Sequence, residues 1–136
     1  MYQLNYRSQA RNGLEIKDLD AILSTAIIKN AALEISGCLI YHNGYFVQIL
    51  EGKKELVQSI FNNIERDNRH HNIVLLGESE VEKRTFPDWN MAYHEPKDKN
   101  VRQFVHNLLT LSELSAKSSD TLRNFWWEVR KVLLGG

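Results

Sequence analysis

Apolar and polar residues alternate at the start of the chain, where Tyr2, Leu4, Tyr6 and Ser8 are interleaved with Gln3, Asn5 and Arg7. A period of two predicts a strand with two different faces. Past a turn at Asn12-Gly13 the period lengthens. In "KDLDAILSTAIIKNAALE" (17–34), Leu19, Ile22, Leu23, Ala26, Ile27 and Asn30 share one helical stripe. The stretch "ISGCLIYHNGYFVQILEG" (35–52) reads as two strands, its apolar runs flanking the turn pair Asn43-Gly44. A two-residue turn there sets Tyr41 against Phe46, Leu39 against Gln48 and Gly37 against Leu50. A second helix follows in "KKELVQSIFNNIERD", with Leu56, Val57, Ile60, Phe61 and Ile64 inward. Two more strands are read from "NIVLLGESEVEKR" and "FPDWNMAYH", the latter with Trp89, Met91 and Tyr93 pointing the same way.

The order β-α-β-β-α-β-β predicts an α+β fold, a mixed sheet with both core helices on one face. Both faces of the hairpin are apolar, since Cys38, Ile40, Val47 and Ile49 occupy the side opposite Gln48. Two core helices cover one side only, so a second cover is needed. The tail supplies two amphipathic stripes: Val101, Phe104, Val105 and Leu108, then Leu122, Phe125, Trp126, Val129 and Leu133. Residues 1–95 are therefore expected to form the main domain. Residues 96–136, set off by Pro96, are expected to form a helical extension on the far side of the sheet or in an oligomer interface.

Composition narrows the function classes. The 136 residues carry 17 basic and 17 acidic side chains, so no charge footprint points to nucleic acid or an anionic membrane. The lone Cys38 excludes an internal disulfide and a cysteine-based zinc site. The start "MYQLNYRSQA" does not read as a secretory leader and no apolar run reaches membrane-spanning length, so a cytoplasmic location is expected.

Candidate chemistry centres on Gln48, a primary amide on an inward strand face. A buried amide without partners costs about 1–3 kcal/mol, so it bonds either a structural neighbour or a ligand. Asn30, on the inner helical stripe, is either a C-cap or a second amide facing the same layer. Two amides there suit a planar heterocycle that offers donors and acceptors. Tyr6 is either core or a third polar group of that layer. In "ERDNRHH" (65–71), Arg69 and His70 either complement the end of the second helix or meet a ligand's polar edge. Neither a Gly-rich phosphate loop nor a nucleophile elbow is present, and His70-His71 lacks further ligands at metal spacing.

Together, "LNYRS" (4–8), Asn30 followed by "ISG" (35–37), "YFVQILEG" (45–52), "DNRHH" (67–71) and "RTFPDWNM" (84–91) resemble the BLUF domain, the blue-light sensors that use FAD. The resemblance covers about residues 1–95, and the tail resembles the two C-terminal helices of short stand-alone members. It implies a ferredoxin-like domain with the flavin between the two core helices. Tyr6 then matches the redox-active tyrosine, Gln48 the switching glutamine and Ser8 the serine that follows the tyrosine. Asn30 matches the asparagine at the flavin's polar edge, with Lys29 at the variable position before it. Asp67, Arg69 and His70 match the flavin-side segment after the second helix, and Trp89 and Met91 the signalling pair. The implied chemistry is a light-driven electron and proton transfer from Tyr6 by way of Gln48, which leaves rearranged hydrogen bonds and no adduct.

Two positions depart from the family pattern: "ISG" replaces the usual "ITG", and Asn63 stands where many relatives have a basic residue. The second leaves FMN and riboflavin as alternative occupants. The resemblance further implies a sensor rather than an enzyme, signalling to a separate protein or through a homo-oligomer. The competing readings are a constitutive flavin-binding module and an acylphosphatase-like hydrolase built on Arg11-Asn12.

Overall fold

The computed structural model describes residues 1–94 and 119–135. Its elements are β1 (Tyr2–Ala10), α1 (Ile16–Ala32), β2 (Ser36–His42), β3 (Tyr45–Gly52), α2 (Lys54–Glu65), β4 (His70–Glu80), β5 (Ala92–His94) and α3 (Ser119–Leu133). The strands form one sheet in the order β4-β1-β3-β2-β5. All neighbours are antiparallel except β2 and β5. This is the ferredoxin-like α+β arrangement, and it places β3 at the centre.

The hairpin turn explains the centre of the sheet. Asn43 and Gly44 both take positive φ, 49° and 81°, as a primed turn requires. The turn fixes the register read from the sequence: Tyr41 with Phe46, Leu39 with Gln48, Gly37 with Leu50. On its other side β3 pairs with β1, which sets Tyr6 directly opposite Gln48.

Alternation along the strands builds two cores. Tyr2, Leu4, Tyr6, Leu39, Phe46 and Leu50 face α1 and α2 and pack with Val57 and Ile60. Cys38, Ile40, Val47 and Ile49 face the other way and are covered by Leu122, Phe125, Trp126 and Val129 of α3. Each of these α3 side chains contributes roughly 1.5–3 kcal/mol of burial, set against the entropy of ordering the helix. The polar face of β1 is buried as well. Asn5 accepts a hydrogen bond from the Trp126 indole N–H, and Gln3 and Arg7 are covered beside it.

Several expectations need correcting. Ile27 is 45% exposed, so the inner stripe of α1 runs through Ile22, Ala26 and Asn30 and not through Ile27. His70 and His71 do not close α2, which ends at Glu65, but open β4. The last strand is only Ala92–His94, because residues 84–91 form turns and bends held by side chains of other elements. Trp89 and Met91 consequently lie on opposite faces, Trp89 against the α3 core and Met91 in the core beneath α1 and α2. The stripe Val101, Phe104, Val105 and Leu108 lies outside the described residues. Among the described residues no helix is long and apolar enough to cross a membrane.

Candidate functional site

A cleft of about 880 Å³ opens between α1, α2 and the sheet. Helical spacing supplies two of its walls: Ile22, Thr25, Ala26, Lys29 and Asn30 from α1, and Ile60, Asn63 and Ile64 from α2. Tyr6, Leu39, Phe46, Gln48 and Leu50 form the floor, while Asp67, Arg69 and His70 close one end. A mostly apolar lining with a few convergent polar groups is the usual composition of a small-molecule site.

Gln48 is buried at the centre of that floor, and both ends of its amide are engaged. The Tyr6 hydroxyl donates to Gln48 Oε1. Gln48 Nε2 donates to Met91 Sδ at 3.3 Å. These two neighbours rank the orientations of the amide. A phenol oxygen both donates and accepts, whereas a thioether sulfur only accepts, weakly. Turning the amide over lets its N–H donate to the Tyr6 oxygen but sets Oε1 against a sulfur that donates nothing, a cost of about 1–3 kcal/mol for a buried acceptor. The protein alone therefore favours the present orientation, and a ligand donor that reaches Oε1 in the turned state can overturn that preference.

Tyr6 is 3% exposed, with its ring 5.4 Å from that of Phe61 and near the edge of His70. Burial pushes its phenol far above the ordinary value, and the charge of Asp67 adds to the effect. The hydroxyl thus stays protonated through the working pH range, and its proton leaves readily only if an electron leaves with it.

His70 is fixed in ring orientation and tautomer. Its Nε2 lies 2.7 Å from the carbonyl of Ile64, which can only accept, so Nε2 carries the proton. Nδ1 then accepts from the Ser8 hydroxyl at 2.7 Å. A residue of β4 thereby caps the last turn of α2, as a basic group at a helix end does. Ser8 is completely buried and reaches the cleft only through this histidine.

Asn30 lies inside α1 rather than at its C-cap, which is Leu33. Its side-chain amide donates to the Asn90 carbonyl at 3.0 Å, and Asn90 returns a bond to the Ile35 carbonyl at 3.2 Å. Asn30 therefore ties the cleft wall to the residue just before Met91. Asp67 and Arg69 form a bidentate pair at the cleft mouth, with contacts of 2.5 to 3.0 Å. The Arg69 hydrogen bond holds the Asp67 carboxyl below its ordinary range. Cys38 sits in the opposite core, where burial pushes its thiol well up and makes it a poor nucleophile.

The cleft thus assembles Tyr6, Lys29, Asn30, Gln48, Asp67, Arg69 and His70, with Met91 behind Gln48 and Ser8 behind His70. Trp89 stands apart, 6.2 Å from Phe86 and beneath the Arg130 guanidinium. Reasoning from sequence missed Glu51, Arg84 and Asn90, whose side chains hold the segment carrying Trp89 and Met91. A charged residue closing an otherwise apolar strand was the available signal for Glu51.

Comparison with known proteins agrees with this geometry. The family model described as BLUF, sensors of blue light using FAD, matches residues 1–92. The photoactivated adenylate cyclase subunit beta of Euglena longa is 39% identical over 90 residues, 65% of this chain. The chain spans only about a tenth of the length of that relative. The solved structure titled BlsA photo-activated state superposes with a TM-score of 0.80 at 30% identity, over 93% of this chain and 92% of that one. BlrB, titled a BLUF protein in its dark state, gives a TM-score of 0.74 at 27% identity, over 92% of this chain and 91% of that one. A cleft with paired amides beside a buried tyrosine, matched over two thirds of the chain, makes this protein a member of the BLUF family of flavin-based blue-light sensors.

Proposed function

We propose that the protein is a photoreceptor in which Tyr6, Gln48 and Met91 form the switch, with FAD held without a covalent bond in the cleft between α1 and α2. The observation that carries this reading is the engagement of both ends of one buried amide, by a phenol on one side and a thioether on the other. Asn30 and Gln48 supply donors and acceptors for the polar edge of a planar ring, while Ile22, Ala26 and Ile60 give its faces apolar contact. Lys29 and Arg69 at the rim suit the phosphates. FAD, when bound, supplies absorption of blue light and a ring that takes up an electron on excitation.

The residues do the rest. Tyr6 gives up its electron and proton together, because burial forbids the phenolate. Gln48 relays the proton and turns, exchanging a donor for an acceptor without changing shape, and the electron and proton then return to Tyr6, so that only the turned amide persists. Met91, once it loses the amide N–H, is free to leave. Residues 1–95 are the sensor and residues 96–136 the extension that carries the signal to a separate protein or to another copy of the chain. The protein acts as a sensor rather than a catalyst.

Purified protein reconstituted with FAD is expected to show visible flavin bands that shift red under blue light and return in darkness. A protein that stays colourless with added FAD, or takes up flavin and shows no shift, overturns the reading.

A further inference from the structure

We propose that Glu51 is a positioning residue for this switch: its buried carboxylate pins the start of the 85–91 segment to β3, so that the far end of the segment presents Met91 to Gln48. The inference rests on the photoreceptor reading above. Glu51 has no exposed surface, and its two oxygens receive three N–H donors. Oε2 accepts from Gln3 Nε2 at 2.5 Å and from the Thr85 backbone at 2.7 Å; Oε1 accepts from the Phe86 backbone at 2.8 Å. A buried carboxylate is costly unless its lone pairs are filled, and an apolar side chain would pack the site without that cost. Such a replacement would also strand the N–H groups of Thr85 and Phe86, which lie in the bends before β5 and outside any sheet ladder.

The segment is therefore strung between two side chains of one strand. Glu51 holds its beginning on the α3 face of the sheet, and Gln48 meets its end, Met91, on the cleft face. Arg84 secures the same pivot by donating to Ser36 Oγ at 2.7 Å and to the Glu51 and Glu34 carbonyls at 3.0 and 2.8 Å. Beyond Phe86 no carboxylate among the described residues gathers the backbone: the Gly37 N–H reaches the Trp89 carbonyl at 3.2 Å, Asn30 holds the Asn90 carbonyl, and the Asn90 amide reaches the Ile35 carbonyl at 3.2 Å. When Gln48 turns, the part that moves is bounded by Phe86. The reader of that motion is Arg130 of α3, which donates to the Thr85 carbonyl at 2.9 Å and to Asp88 at 3.1 Å.

Substitution E51Q tests the assignment in the FAD-reconstituted full chain. The amide keeps the size of the side chain but points a donor at an N–H group, so one backbone anchor is lost. Flavin binding and the red shift are expected to persist. Dark return is expected to slow by about fivefold, the factor that about 1 kcal/mol represents, because Met91 must be reseated by a loosened segment. With Met91→Ala present, E51Q is expected to change the return by less than about twofold, since nothing remains to be positioned. A carboxylate with a merely structural role would lower Tm, leave dark return alone well below Tm, and act equally with and without Met91.

If E51Q does not fold, Gln3→Leu removes one donor from the same carboxylate and is expected to slow the return in the same sense by a smaller factor. Unchanged or faster return in the folded variant, or equal effects in the two Met91 backgrounds, overturns the assignment. A parent protein that shows no shift overturns the photoreceptor reading instead. A shifting parent with an indifferent variant overturns this inference alone.

Discussion

Replacing Tyr6 by Phe removes a single oxygen from the floor of the cleft and keeps the ring that packs beside Phe61. Tyr6 and Gln48 are 3% and 5% exposed, so the partner of the lost hydroxyl has little access to solvent. Gln48 Oε1 then has no donor at its present position, a loss of about 1–3 kcal/mol for a buried acceptor. Turning the amide over offers no escape, because it places the oxygen against the sulfur of Met91, which donates nothing. In a chain of this size 1 kcal/mol shifts Tm by roughly 3–5 °C, so the variant is expected to melt about 3–15 °C below the parent. The photochemical consequence is larger. Without the hydroxyl no proton accompanies the electron, and the reversible red shift is expected to vanish while flavin stays bound. Thermal melts followed by circular dichroism and light-minus-dark absorption spectra read the two effects separately. A Tyr6→Phe protein with a full, reversible shift refutes the role of the tyrosine; a melt within about 1 °C of the parent refutes the value assigned to its hydrogen bond.

Gly37→Ala tests the close approach of β2 and β3 near the open end of the hairpin. A methyl group there would lie 2.0 Å from the Ile49 carbonyl oxygen and 3.3 Å from the terminal methyl of Met91, so β2 and β3 must part. A fall in stability of about 3 kcal/mol or more is expected in urea titrations, and a fall below about 1 kcal/mol refutes the geometry. Stability should also fall at both ends of the pH scale. Burial raises the phenol of Tyr6, and burial followed by the Glu78 hydrogen bond and charge raises that of Tyr2 to about 12. Both groups stay protonated in the native chain where the unfolded chain releases the proton, so their contribution is complete below pH 10 and lost above it. Asp67 has the opposite sign. Its carboxyl is held below 3.8, chiefly by the Arg69 hydrogen bond, so its contribution is present above that value and lost as the pH falls below it. Urea midpoints across the pH range check both limbs, and a midpoint that rises above pH 10 refutes the alkaline one.

Local rules carried the sequence reading as far as local rules decide the structure. Asn43-Gly44 determines a turn type, the turn type determines pairing, and pairing places Gln48 beside Leu39 on local grounds alone. Helical periodicity brought Asn30 inward in the same way. The segment around Trp89 and Met91 misled because a spacing of two imitates a strand. What shapes it are bonds from Glu51, Arg84 and Asn30, which lie 34 or more residues away for Glu51, 33 to 50 for the Arg84 contacts and 60 for Asn30. No local pattern announces such partners. The same limit applies to β1, whose Gln3, Asn5 and Arg7 read as a merely distinct polar face and are in fact buried. Their burial became legible only with Trp126, 121 residues downstream, donating to Asn5.

The central strand places Gln48 and Glu51 on opposite surfaces because an odd number of positions separates them. That parity constrains how such a chain can vary in length. Insertion or deletion of a single residue between positions 48 and 51 would bring the amide and the carboxylate to the same surface, separating one of them from its partners whatever the residue's chemistry. The tightest length restriction on this light sensor therefore falls on the three-residue step from Gln48 to Glu51, and the arithmetic of the pleat sets it.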